Sequence, residues 1–452
     1  MNKFLAAALL AASTCAVHAQ VAIGSCAGIG SINVPGAEKQ DKICLADLTT
    51  KYLVAVNRTD ASDWATLHSQ ATRNPPGAVP GIQIDGYFPD TSTTNGYFGW
   101  FHDAQFVIRL PDNWNGKLVI TGAPGVRRQY ANDYLLSDWF VSRGYAYAST
   151  DKGNSGTNFQ SDGANPGDAI AEWHRRVTEL TIAAKDVVRQ RYGVVPAYTY
   201  MTGLSNGGYL TRFALENRPD LYDGGVDWEG VLWLPDGPNI LTSLPPALRW
   251  YPTWRATGDR AAYDRIIAAG YAPGSEFLWG HHYTVYWDLT QRTYREEMDP
   301  SYDGTLNGGV PFCASGTPYC DADYDYASRP APVRDAVRRI ALTGRIGKPM
   351  ITLHGTLDSL LPISTNSDNY TAMINGEGRG RLHRYYVVEG GNHVDQLYDE
   401  FPDKLRPITP CYRAAFVALE NWVEGKGNRK PPDSKRIPRV AGSDLANQCS
   451  LE

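Results

Sequence analysis

The chain has 452 residues, 42% of them hydrophobic and 20% charged, with a formal net charge of −5. That composition can bury a sizeable core and excludes a disordered chain. With no block of like charge, it also excludes nucleic acid or an acidic membrane surface as the main partner.

The N-terminus reads as a targeting segment. Met1-Asn2-Lys3 is positive, Phe4 to Ala12 is apolar, and Val17-His18-Ala19 places small residues at −3 and −1 of a cleavage site before Gln20. This pattern predicts a secretory signal peptide over residues 1–19, too short for a membrane span. Later in the chain there is no apolar run long enough to cross a bilayer, so a soluble, secreted or periplasmic protein is expected. Cleavage removes Cys15 and leaves Cys26, Cys44, Cys313, Cys320, Cys411 and Cys449. An even number in an exported chain predicts disulfides. Proximity favours Cys26–Cys44, Cys313–Cys320 and Cys411–Cys449. Without a CxxC spacing or a paired histidine, zinc is disfavoured.

From Gln105 onward short apolar strands alternate with amphipathic helices. Strands are predicted at Phe106–Leu110, Lys117–Thr121 and Tyr145–Ser149, with a helix around Tyr134–Ser142 before the third. A long helix follows over Glu172–Arg191, then a strand at Ala197–Thr202 and a helix at Tyr209–Glu216. Strands at Met350–Leu353 and Tyr385–Val388 and a helix at Tyr412–Glu424 complete the set. Such alternation implies an α/β fold with a mostly parallel sheet covered on both faces. Between Pro235 and Ile340 the rhythm breaks, in a stretch holding Trp250, Trp254, Trp279, Tyr283, Tyr286 and Trp287. The expected organisation is therefore a core over 20–234 and 341–452, interrupted by a cap over 235–340.

Gly203-Leu204-Ser205-Asn206-Gly207 fits G-x-S-x-G and lies between a predicted strand and a predicted helix, the context in which that motif lifts a serine out of a sharp turn. Such a serine needs a base, and the base an orienting acid, in the chain order Ser, Asp or Glu, His. Asp358 follows the strand at Met350, and His393 follows the strand at Tyr385. Both fall in loops at the C-terminal ends of strands, in the required order. Asp236, Asp395 and Asp399 are reserve candidates for the acid. His354, His174 and His281-His282 read as structural, with a substrate contact open to the last pair. For the oxyanion, one N–H comes from Asn206, the residue after the serine. The other comes from Gly125 or Val126 in the loop Gly122–Val126, because Pro124 has no N–H.

These residues resemble the tannase and feruloyl esterase family of α/β-hydrolases. The resemblance runs through Trp114–Leu118, Gly144–Gly153, Val177–Lys185, the serine motif with Arg218-Pro219-Asp220 and Tyr222-Asp223-Gly224, and Trp422–Lys426. It implies an α/β-hydrolase fold with an inserted lid and hydrolysis of phenolic esters through an acyl-enzyme. That family commonly carries cysteines beside the catalytic serine and histidine, joined by a disulfide; here Leu204 and Val394 stand there, marking a divergent relative. Members also often bind calcium in the cap. Asp321, Asp323 and Asp325 are the acidic residues available, with a spacing that fits poorly, so no cofactor or metal is expected to be required. The expected partner is a small or polymeric ester. The alternatives are a polyester or hydroxyalkanoate-oligomer hydrolase, a serine peptidase, and a non-catalytic binding protein.

Overall fold

The computed structural model describes residues 26–75, 77–302, 321–425 and 430–452. Its ten strands are β1 Lys39–Leu45, β2 Gly81–Tyr87, β3 Gln105–Pro111, β4 Lys117–Gly122, β5 Ala146–Thr150, β6 Tyr198–Leu204, β7 Gly224–Trp228, β8 Met350–Gly355, β9 His383–Val388 and β10 Lys435–Ile437. They form one sheet in the order β1-β2-β3-β5-β4-β6-β7-β8-β9-β10. The pairs β1–β2, β2–β3 and β3–β5 are antiparallel, and every pair from β5–β4 onward is parallel. The swap of β4 and β5 in this order reflects the crossover through the helix Asp138–Ser142.

Alternation along each strand sends side chains to two cores. Leu118 and Ile120 of β4 pack on one face with the long helix Asp168–Tyr192 and the helix Asn206–Asn217. Val119, Tyr147 of β5, Tyr200 of β6 and Leu353 of β8 pack on the other, against Phe140 and the helix Thr409–Val423. Every residue of β3, β5, β7 and β8 is buried, as strands covered on both faces must be. This is an α/β-hydrolase fold. Each predicted element is present with its ends displaced by at most four residues, the helix expected around Tyr134–Ser142 opening with a wider π-type turn over Asp133–Ser137; β1, β2, β7 and β10 go beyond the predicted set.

Between β7 and β8 the described chain is helical, with helices Ile240–Thr257, Arg260–Ala268, Glu276–His282, Asp288–Met298 and Ala331–Ile340. Many of its aromatics are structural: Trp279 and Trp287 are fully buried, and Trp287 Nε1 donates to the carbonyl of Ser359 at 2.6 Å. Disulfides join Cys26 to Cys44 and Cys411 to Cys449. Cys313, Cys320 and the expected signal peptide lie outside the described residues. Among the described residues no helix is long and apolar enough to cross a membrane.

Candidate active site

β6 ends at Leu204 and the next helix starts at Asn206, so a single residue, Ser205, turns the chain. Its backbone sits at φ 60°, ψ −116°, a conformation a side chain rarely adopts. The turn persists because its surroundings fix it: Ser205 N–H donates to the Trp228 carbonyl at 2.9 Å, and Tyr209 N–H donates to the Ser205 carbonyl at 2.9 Å. The flanking glycines are required by space. A Cβ on Gly203 would lie 2.5 Å from the carbonyl carbon of Gly207, and one on Gly207 would lie 2.6 Å from the Gly122 oxygen. The strand and helix can therefore approach closely enough to leave Ser205 at the C-terminal edge of the sheet.

Asp358 and His393 arrive at the same edge from the loops after β8 and β9. Leu357 N–H donates to the Gly391 carbonyl at 2.8 Å, locking the two loops together. The Asp358 carboxylate is saturated: Oδ1 accepts from the N–H groups of Leu360 and Leu361, both at 2.8 Å, and Oδ2 faces His393 Nδ1 at 2.8 Å and His354 Nε2 at 3.2 Å. Burial alone would raise its pKa, but the charges and hydrogen bonds of His393 and His354 outweigh it and hold the carboxyl well below its ordinary range. An ionised Asp358 keeps the His393 proton on Nδ1 and leaves Nε2 free to accept one. Ser205 Oγ makes no hydrogen bond among the described residues. In a ligand-free hydrolase such a contact often forms only once substrate is bound.

The expected oxyanion groups also meet. Gly125 and Val126 are the central residues of a turn closed by Arg127 N–H donating to the Pro124 carbonyl at 3.1 Å, and Gly156 N–H donates to the Val126 carbonyl at 2.6 Å. Asn206 is the first residue of its helix and has no preceding turn to donate to. Among the described residues, the N–H groups of Gly125, Val126 and Asn206 have no internal acceptor. The Asn206 side chain joins the two pieces, its Nδ2 donating to the Gly125 carbonyl at 2.9 Å and to the hydroxyl of Tyr294.

One carboxyl here escaped the sequence reading. Glu229, directly after β7, is fully buried, and its Oε2 lies 3.6 Å from His393 Nδ1. The signal was a carboxylate closing Gly224-Gly225-Val226-Asp227-Trp228, a strand too short and glycine-rich to be recognised beforehand.

The other candidates are engaged elsewhere. Asp395 accepts from Ile408 N–H at 2.6 Å and Thr409 N–H at 2.9 Å, capping the last long helix, and Asp399 accepts from Ser69 Oγ and Gln70 N–H. Asp236 makes no contact with His393. His174 bonds the Tyr209 hydroxyl at 2.6 Å and stacks on Phe213; burial lowers its pKa to about 3. His281 is half-buried, whereas His282 is enclosed, with both ring nitrogens lacking a hydrogen bond and a pKa lowered by burial to about 3. Asp321 accepts from Arg295 Nε at 2.7 Å, Asp323 from the Tyr302 hydroxyl at 2.6 Å, and Asp325 from Ala327 N–H at 3.1 Å. The three carboxylates thus accept from three separate protein donors, while Asp321 Oδ1 has no hydrogen-bond partner among the described residues.

Residues 101–227, which carry β3 to β7 and the serine turn, match the family model described as "Tannase and feruloyl esterase". That segment resembles the tannase and feruloyl esterase family, on an α/β-hydrolase fold. Among solved structures the chain resembles a tannin acyl hydrolase from Aspergillus niger, at 14% identity and a TM-score of 0.52, over 89% of this chain and 87% of that one. It also resembles an esterase from Aspergillus oryzae, at 14% identity and a TM-score of 0.52 over 89% of both chains. Feruloyl esterase B from Aspergillus oryzae gives 14% identity and a TM-score of 0.50 over 88% of this chain and 89% of that one. At such identities the likeness is one of fold. No curated protein matches the sequence. Leu204 and Val394, the residues beside Ser205 and His393 where the resemblance led one to look for paired cysteines, are both buried in one core cluster.

Proposed function

We propose that this chain is a secreted serine carboxylic-ester hydrolase that works through an acyl-enzyme on phenolic esters. The family match supports ester hydrolysis as the general activity. The observation that carries the serine mechanism is the Asp358–His393 hydrogen bond of 2.8 Å, placed at the same sheet edge as the strained Ser205 turn.

In this reading His393 Nε2 takes the Ser205 proton as Oγ attacks the ester carbonyl. Asp358 stabilises the imidazolium that forms. The N–H of Asn206 and that of Gly125 or Val126 hold the oxyanion, aided by the positive end of the helix Asn206–Asn217. His393 then returns the proton to the leaving alcohol and activates water to release the acid. In this reading the described helices between Ile240 and Met298 serve as the cap beside this edge, where Tyr294 meets Asn206, and their aromatic content favours flat acyl groups. Export agrees with the Cys26–Cys44 and Cys411–Cys449 disulfides.

The deciding experiment is labelling with an organophosphonate. The wild type is expected to label stoichiometrically and Ser205→Ala to stay unlabelled; an unlabelled wild type overturns the serine mechanism. Turnover of methyl ferulate, methyl gallate, nitrophenyl esters and hydroxybutyrate dimers then fixes the acid. Hydrolysis of the dimers alone replaces the phenolic reading with a polyester one.

A further inference from the structure

Glu229 is placed where a triad acid could stand, yet Asp358 already occupies that role. Its Oε1 accepts from Gly355 N–H at 2.7 Å, which fixes the carboxyl against the end of β8. Oε2 has no hydrogen-bond partner and points toward His393 Nδ1 at 3.6 Å. The carboxylates of Glu229 and Asp358 and the His393 ring nitrogen offer ligand atoms all within 4.8 Å of one another. The backbone of Glu229 is itself held at φ 51°, in the left-handed region that disfavours a side chain. Glu229 N–H donates to the Leu353 carbonyl at 2.9 Å, and the next residue, Gly230, is pinned by its N–H to Asp227 Oδ1 at 2.8 Å. A strained turn that delivers a buried carboxyl to the base, with one oxygen unpartnered, is not accounted for by packing, since an apolar side chain would need neither the strain nor the desolvation.

We propose that Glu229 is a second positioning carboxyl for His393, able to take over the orienting role when Asp358 cannot fill it. This rests on the triad reading above. The groups facing Glu229 explain why the two acids divide the work. Burial first, then the negative charges of Asp358 and Asp395, push its carboxyl well above the usual range, while the Gly355 N–H acts in the opposite direction. Two carboxylates this close do not both ionise readily beside one imidazole. In the intact site Asp358 therefore carries the charge and Glu229 stays neutral. Removing the charge of Asp358 removes one of the causes of that shift, and Glu229 can lose its proton to water and face the His393 Nδ1–H as a carboxylate.

The test is a double-mutant cycle with Asp358→Asn and Glu229→Gln, read as kcat/KM on an ester the wild type turns over. Loss of the acid in a serine triad costs about 10⁴-fold when nothing replaces it. Here Asp358→Asn is expected to lose only about 10–100-fold, and adding Glu229→Gln to lose at least a further tenfold, more than Glu229→Gln costs on its own. The pH profile separates orientation from mere support: the acid limb of Asp358→Asn should move to higher pH than that of the wild type, and the shift should vanish in the double variant. Equal factors for Glu229→Gln in both backgrounds, or an unshifted limb, overturn the proposal. If the double variant does not fold, judged by thermal unfolding, the limb of Asp358→Asn alone decides. Organophosphonate labelling of the wild type runs in parallel. Failure to label sinks the serine mechanism, whereas labelling with no coupling between the two acids sinks only the role of Glu229.

Discussion

The side-chain amide of Asn206 bridges the Gly125 carbonyl and the hydroxyl of Tyr294, so one residue ties the serine turn to both the oxyanion loop and the helix Asp288–Met298. In the proposed mechanism its backbone N–H serves the oxyanion, while its side chain sets the position of the second donor. Asn206→Ala keeps that N–H but releases the loop. Steady-state kinetics should show kcat falling about 10–100-fold with KM nearly unchanged, less than the roughly 10²–10³-fold cost of deleting a direct oxyanion donor. Tyr294→Phe, which removes only the outer partner, should cost less than Asn206→Ala. A KM effect without a kcat effect would place Asn206 in substrate binding instead.

Stability should decline between pH 6.5 and pH 8. Burial raises Asp138 and Asp151 to about 7, and Glu172 and Glu297 to about 8. Unfolded carboxyls titrate near pH 4, so from about pH 4 up to about pH 8 the folded chain holds protons on these groups that the unfolded chain has lost, and their contribution to stability declines as pH rises. Below about pH 6.5 burial keeps His174, His282 and His383 neutral, with values lowered to about 3, and these three groups work in the opposite direction, their contribution declining as pH falls. Asp358 acts in the same sense at still lower pH, its contribution vanishing as pH falls through its depressed folded value. Calorimetry should give a higher Tm at pH 6.5 than at pH 8. Glu297, whose Oε1 accepts from Ala169 N–H at 3.0 Å, is the clearest single source, and Glu297→Gln should flatten the decline.

Ser205, Asp358 and His393 were legible because each ends a strand whose apolar run is visible locally, β6, β8 and β9. Glu229 was not, because β7 was not. Gly224 and Gly225 carry no apolar run, but in the sheet they answer to space: a Cβ on Gly225 would lie 2.6 Å from the Met201 carbonyl oxygen. β1 is Lys-Gln-Asp-Lys-Ile-Cys-Leu, half-exposed at the sheet's edge, and its strand character comes from pairing with β2, not from its own pattern. The lock between Leu357 and Gly391 is likewise a tertiary contact that neither local segment announces.

Leu204 and Val394 make the site's rigidity a matter of packing. Leu204 is 1% exposed and sits immediately before Ser205, in the same cluster as Val394 and Trp228. With no disulfide between these positions, a cavity there should loosen the serine turn. Leu204→Ala is expected to cost about 2–5 kcal/mol of unfolding free energy, measured by denaturant titration, and to reduce kcat even where the variant is fully folded. Val394→Ala removes less volume and should cost less. A Leu204→Ala variant as stable as the wild type would show that another element fixes the turn.

The Cys411–Cys449 bridge closes a loop of 38 residues and ties the helix Thr409–Val423 to the C-terminal tail. Chain-entropy arguments assign such a loop about 4 kcal/mol, against about 3 kcal/mol for the shorter Cys26–Cys44 loop. Replacing Cys411 and Cys449 together by alanine should therefore lower the denaturation midpoint more than the same change at Cys26 and Cys44. Its effect on turnover should be small. The N-terminus of that helix is held independently by Asp395, which accepts from Ile408 N–H, Thr409 N–H and Thr409 Oγ and lies two residues from His393. While the variant remains folded, His393 keeps its anchor, and kcat should stay within about threefold of the wild type. Asp395→Ala is the contrasting change: it leaves both disulfides intact but frees the loop, so it should lower kcat more than removal of the Cys411–Cys449 bridge does. The reverse order would mean that the tail, and not the capped helix, positions the base.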